Sequence, residues 1–146
     1  MHKQIFVNLP IKDMARSTAF FKSLGLGFDP HFTNDQGACL VIGENIYAML
    51  LVEAFYKTFT AKAIADATRT SELLLALTCE SRAEVDALVA KAVAAGATTP
   101  RAPQDHGFMY GHGFDDLDGH SWELFYMEAH AAEQVAADNA AKAAAR

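Results

Sequence analysis

Hydrophobic and polar positions along this chain run through one order twice. Ile5 to Ile11 alternates loosely between apolar and polar side chains, the period of a half-buried strand, and Pro10 limits its end. Asp13 then stands where a helix N-cap belongs, ahead of Met14, Phe20, Phe21 and Leu24, with Gly25 as the stop. Three strands are predicted behind this helix, over Gly27 to Thr33, Ala38 to Ile42 and Asn45 to Val52. The runs Asn34-Asp35-Gln36-Gly37 and Gly43-Glu44-Asn45 supply the turns between them. The order then restarts. Ser71 to Cys79 reads as an apolar strand, and Ser81-Arg82-Ala83-Glu84 as a capping box whose hydroxyl and carboxylate each satisfy a free backbone N–H. Val85, Leu88, Val89, Ala92 and Val93 recur at helical spacing up to Gly96. Strands over Ala97 to Ala102, Phe108 to Phe114 and Ser121 to Met127 complete the second round.

Two βαβββ modules therefore succeed one another, an α+β chain. Each module is a four-stranded sheet with a helix on one face, so the other face needs cover. Two such sheets placed edge to edge make a curved, cup-like mixed sheet whose concave side is a natural ligand pocket. Module one is expected over about 3–53 and module two over about 71–128, together one domain spanning 1–128, because half a domain of half-covered sheet is marginal alone. The connector 54–70 carries Phe55, Tyr56 and Phe59 and reads either as a simple link or as a lid over the cup. Residues 129–146 are alanine-dominated, with high helix propensity and Val135 as the one large apolar residue, so an exposed or partner-docked helix is expected.

Composition narrows the classes. The chain of 146 residues is 51% hydrophobic and 21% charged, an ordinary globular balance at single-domain length. Its longest fully apolar run, Ala48 to Val52, is far short of the roughly 20 residues that cross a bilayer, and no signal-peptide core follows Met1, so no membrane partner is expected. Cys39 and Cys79 lack metal-site spacing and read as two reduced thiols of a cytoplasmic protein. A net charge of −6 without any Lys/Arg cluster argues against a nucleic-acid partner. No nucleophile elbow and no phosphate-binding glycine loop is present.

Candidate chemistry concentrates in Asp116-Leu117-Asp118-Gly119-His120-Ser121-Trp122-Glu123-Leu124-Phe125-Tyr126. Asp118-Gly119 suits a tight turn. Glu123 is the one acid in the apolar strand behind that turn, so it points to water, holds a cation, or accepts hydrogen bonds in a cavity. This segment, together with Ile11-Lys12-Asp13, Phe20-Phe21-Lys22-Ser23-Leu24-Gly25 and the helix end Ala94-Ala95-Gly96, resembles the vicinal oxygen chelate superfamily, the glyoxalase/bleomycin-resistance/dioxygenase group, across roughly residues 3–128.

The resemblance implies the paired βαβββ fold, a homodimer that completes its clefts, and a divalent cation held by His and Glu side chains, with Glu123 at one ligand position. The first His of the family pattern is expected some seven residues before Asp13, where this chain has Phe6 with Gln4 and Asn8 as polar neighbours; Leu73 to Leu77 has no ligand, and the last strand of module one has neither carboxylate nor imidazole. One carboxylate does not hold a catalytic cation, so no cofactor is expected. The expected function is binding of a small organic molecule in the cup, as in bleomycin-resistance proteins. Glu123, Tyr110, His112, Phe108, Trp122 and Phe6 are the candidate ligand-binding residues, the aromatics by stacking. The alternative is a divalent-metal-dependent (Zn, Ni, Fe or Mn) lyase, isomerase or dioxygenase with a rearranged site on Glu123, His112 and His106. It requires His106, Phe108, Tyr110, His112 and Phe114, which share one side of an extended strand, to face the cup.

Overall fold

A computed structural model describes the whole chain, Met1–Arg146. Module one comprises β1 (Ile5–Ile11), α1 (Met14–Ser23), β2 (Gly27–Asp29), β3 (Gly37–Gly43) and β4 (Ile46–Val52). A four-residue helix α2 (Glu53–Tyr56) and a 3-10 turn (Lys57–Phe59) open the connector. Module two comprises β5 (Leu74–Thr78), α3 (Arg82–Ala94), β6 (Gln104–Asp105), β7 (Met109–Asp115) and β8 (Ser121–Met127), and the chain ends in α4 (Ala131–Ala144). The strands form two four-stranded mixed sheets, ordered β1-β4-β3-β2 and β5-β8-β7-β6. In each the first strand pairs parallel with the last, and the other pairings are antiparallel. The sheets do not hydrogen-bond to each other within the chain, so β1 and β5 are both free edges.

Local chemistry accounts for the helix ends. The Asp13 carboxylate accepts from Arg16 N–H at 3.0 Å, and Ser81 Oγ accepts from Glu84 N–H at 3.0 Å. Glu84 returns its carboxylate to the Glu80 N–H at 2.8 Å, one residue earlier than the capping box places it. Gly25 (φ +89°) and Gly96 (φ +109°) end the helices in the left-handed region open to glycine.

Two predicted strands are shorter than the apolar pattern suggests. The one from Gly27 stops at Asp29, because Pro30 has no N–H for the ladder and Asp29 Oδ1 instead accepts from His31 N–H at 2.9 Å, starting a 3-10 turn. Ala97 to Ala102 keeps only a bridge between Thr98 and Asp115, since Pro100 interrupts it; pairing resumes at Gln104. The strand opening module two begins at Leu74 rather than Ser71.

One hydrophobic core serves both modules. Leu9, Ile11, Phe20, Leu40 and Leu50 of the first join Val85, Val89, Phe114, Trp122 and Leu124 of the second. Phe21 meets Trp122 edge-on at 5.4 Å between ring centres, and Phe20 meets Phe114 at 6.0 Å. The helix-bearing faces thus pack together, and the concave faces point away from this core. The turn Asp116–His120 is the polar joint. Asp118 accepts from Lys12 N–H at 3.0 Å and Ser17 Oγ–H at 3.1 Å. His120, beside the turn glycine, is half-buried with Nε2 2.7 Å from the Pro10 carbonyl oxygen. Asp116 accepts from Asp118 N–H, His120 N–H and Trp122 Nε1–H, each at 2.9–3.0 Å. Burial pushes its carboxyl pKa upward against the opposing pull of His120 and these donors. Gly119 (φ +89°) lets this joint close, as a Cβ there would stand 2.6 Å from Thr68 N.

No helix is long and apolar enough to cross a membrane.

Candidate functional site

Alternation along the strands decides which side chains reach the concave faces. Trp122 and Leu124 are core residues, so Glu123 between them faces away from the helices. Residues directly opposite in an antiparallel pair share a face. Gly113 is opposite Glu123, and Gly111 is opposite Phe125, so these four line the concave face of the second sheet. His112 is opposite Leu124, Phe114 opposite Trp122 and Tyr110 opposite Tyr126, which puts them on the helix face.

That parity corrects much of the sequence-based site. Tyr110, His112 and Phe114 do share a side, but it is the helix side. Tyr110 Oη–H donates to Asp86 on α3, and the Arg82 guanidinium lies 5.3 Å from the ring centre. The acceptor Asp86 holds the Tyr110 proton and raises its pKa, with desolvation adding to the effect. His112 Nε2 sits 3.2 Å from the Arg101 carbonyl oxygen, on the face opposite Glu123. Trp122 is only 2% exposed and donates its indole N–H inward to Asp116, so it belongs to the core rather than to the concave face. Phe108 is half-buried in the turn before β7, its carbonyl accepting from Glu128 N–H at 2.8 Å. Phe6 lies on the concave face of the other sheet, stacked on Tyr47 at 4.6 Å between ring centres. His106 departs from the side assigned to it because Gly107 (φ +81°) turns the chain; its N–H donates to the Met109 carbonyl at 2.8 Å, and it lines the same cavity as Glu123. The metal set Glu123, His112 and His106 is therefore split between two faces, and no group of three His, Cys, Asp or Glu side chains converges anywhere in the chain.

A cavity of about 210 Å³ opens on the second concave face, bordered by Arg101, Gln104, His106, Met109, Glu123 and Phe125. Its floor runs along Gly111 and Gly113. A Cβ at Gly113 would lie 2.6 Å from the Trp122 carbonyl oxygen and 2.8 Å from Glu123 Oε2, so only glycine leaves this wall clear. Glu123 Oε1 accepts a charge-assisted hydrogen bond from the Arg101 guanidinium. Arg101 is the residue sequence reasoning missed. It lies 22 positions away in a segment that Pro100 and Pro103 keep out of the ladder, and nothing local announces the pairing. The glycines alternating around His112 did carry a signal, since period-two glycines in a strand strip one face of side chains.

The internal repeat tests whether a cation fits. By the repeat's register the counterpart of the first expected ligand is Asn8 rather than Phe6: Asn8 lies five residues before the cap Asp13, and Ala76 five before the cap Ser81. Asn8 is opposite Met49, and Ala76 is opposite Glu123. The four equivalent concave positions thus offer a neutral amide, a thioether, a methyl group and one carboxylate already paired with Arg101. A tightly held transition metal needs about three good protein donors, and these side chains do not supply them, whichever halves come together.

Comparisons with known proteins agree on the architecture. The family profile of the Glyoxalase/Bleomycin resistance protein/Dioxygenase superfamily matches residues 3–124. Among solved structures, hypothetical protein SA1046 from S. aureus is 26% identical with a TM-score of 0.74, covering 86% of this chain and 95% of that one. A glyoxalase/bleomycin resistance protein/dioxygenase family enzyme from Burkholderia phytofirmans is 20% identical with a TM-score of 0.69, covering 84% and 96%. The fosfomycin resistance protein FosX from Mesorhizobium loti is 15% identical with a TM-score of 0.66, covering 92% and 98%. The last two likenesses show the fold alone. No functionally curated protein matches the sequence.

Proposed function

We propose, for a chain that belongs to the Glyoxalase/Bleomycin resistance protein/Dioxygenase superfamily, that it binds a small organic molecule on its second concave face without the divalent cation usual in that family. The observation that carries this reading is the Arg101–Glu123 pair, where the single surviving ligand carboxylate takes a guanidinium of the same chain. The glycine floor and the apolar Met109 and Phe125 beside it provide a surface on which a small organic body can lie.

Elemental analysis of the purified protein after dialysis is the test. Less than about 0.1 equivalent of Zn, Ni, Fe or Mn per chain is expected from a site short of the usual three donors. One tightly held metal per chain, lost in Glu123→Gln, overturns the reading in favour of a metal-dependent enzyme.

The binding unit is a homodimer in this proposal. The edge strands β1 and β5 leave Ile5 56% and Leu74 58% exposed, and the two concave faces stay apart in one chain. A second copy that pairs with these edges would bury that apolar surface and join the faces into a complete cup. Sedimentation is expected to show a dimer at micromolar concentration; a monomer would overturn the assembly and leave ligand binding to the second face alone.

A further inference from the structure

We infer that the cavity on the second concave face selects small organic carboxylates, with the Arg101 guanidinium as the cation that meets them beside Glu123. The inference rests on the function proposed above and adds the class of ligand. One Arg101 nitrogen serves Glu123, and no other acceptor in the chain takes its remaining N–H groups. Its side chain is 60% exposed while that of Glu123 is 27% exposed, so the cation is the outward member of the pair. A molecule entering from solvent therefore meets unused guanidinium donors first, and Glu123 Oε2 only deeper, against Gly113. A planar fork of N–H groups matches a carboxylate with two parallel hydrogen bonds, which a point charge does not.

The rest of the lining is compatible with this. Gln104 and His106 add donors, and Met109 and Phe125 take an apolar body. Asp115 is the other acid of the lining, and its Oδ1 already accepts from Ser121 Oγ–H at 2.8 Å. An amine, by contrast, has to approach Glu123 beside the Arg101 charge that already pairs with its Oε1. The chain carries a net charge of −6, so the selection comes from short-range donors rather than long-range attraction.

Three probes of one shape, benzoate, benzamide and benzylamine, test this by NMR titration of the full chain. Benzoate is expected to bind about tenfold more tightly than benzamide, with benzylamine weakest, and to shift the Gly111 and Gly113 amide signals. Arg101→Gln should remove about that tenfold preference, weakening benzoate far more than benzamide, with Arg101→Lys intermediate. Equal affinities, a preference for benzylamine, benzoate binding indifferent to Arg101→Gln, or no binding by any probe overturns the inference. Binding of benzamide at the glycine floor without carboxylate preference sinks the inference and leaves the proposed function standing. One tightly held metal per chain sinks that function as well.

Discussion

On the first sheet, Leu51 and Phe55 lie over Gly37, and Cys39 beside them has no exposed surface. On the second sheet the counterpart positions are Phe125, Gly111 and Gly113, and they border an open cavity. The strand pattern is the same in both, but the segments leaving the last strand differ. After β4 the chain turns directly into α2, which brings Phe55 back over its own sheet. After β8 it runs into α4, whose one large apolar residue, Val135, is itself exposed. A duplicated fold thus covers one concave face around Gly37, Cys39 and Leu51, through Phe55 of the connector, and leaves the matching part of the other open for chemistry.

The contrast between the faces is most severely tested by truncating the covered one. Leu51→Ala is expected to cost about 2–5 kcal/mol of stability in denaturant titration, the range for a fully buried leucine. Its counterpart Phe125→Ala, on the open face, should cost less than about 2 kcal/mol, as that ring is only half-buried. Equal losses would mean that the second face is closed too. Next comes Gly113→Ala, where the added methyl collides with the Trp122 carbonyl and with Glu123. A loss of about 1–3 kcal/mol is expected, together with loss of probe binding in the same titration. A stable variant that still binds would show that the cavity does not need its glycine wall.

Glu123→Gln should change stability by under about 1 kcal/mol, since its partner Arg101 is largely solvated. A cost of several kcal/mol would mark the pair as structural rather than as part of an open site. The smallest effect is on thiol chemistry. Burial, with Asp29 adding to it, raises the pKa of Cys39, and burial with Glu84 pushes Cys79 up to about 11. Alkylation of the native protein at pH 8 should therefore be slow, and for Cys79 should quicken as the thiolate forms with rising pH through about 11. Cys39 should react only on unfolding. Rapid native labelling of Cys39, read by peptide mass, would show that the first concave face opens.

Much of this fold was legible in one dimension because it is written in local chemistry. Ile5–Ile11 and Ser121–Met127 are strands over the residues that their patterns mark, and Asp13 and Ser81 cap the helices they precede. The site was harder to read. Alternation grouped Tyr110, His112 and Phe114 on one side, yet it could not say that Asp86, Leu124 and Trp122 wait on that side rather than a ligand. Trp122 looked like a stacking platform and is a core residue, because an indole with an internal acceptor gains more from burial than from exposure.

By itself the sequence determined the duplicated βαβββ order, the helix boundaries, and Glu123 as the one carboxylate of the closing strand, since capping groups, turn glycines and period-two alternation act over a few residues. Only the tertiary structure decided which face of each strand is concave, and that Arg101 rather than a histidine reaches Glu123. It also showed that Asp118 and His120 join the two modules, on a turn that Asp116 holds in shape. Those outcomes depend on which faces of the two sheets pack against each other. That contact is settled by the summed burial of Phe20, Phe21, Phe114 and Trp122 across the chain, a quantity no local pattern contains.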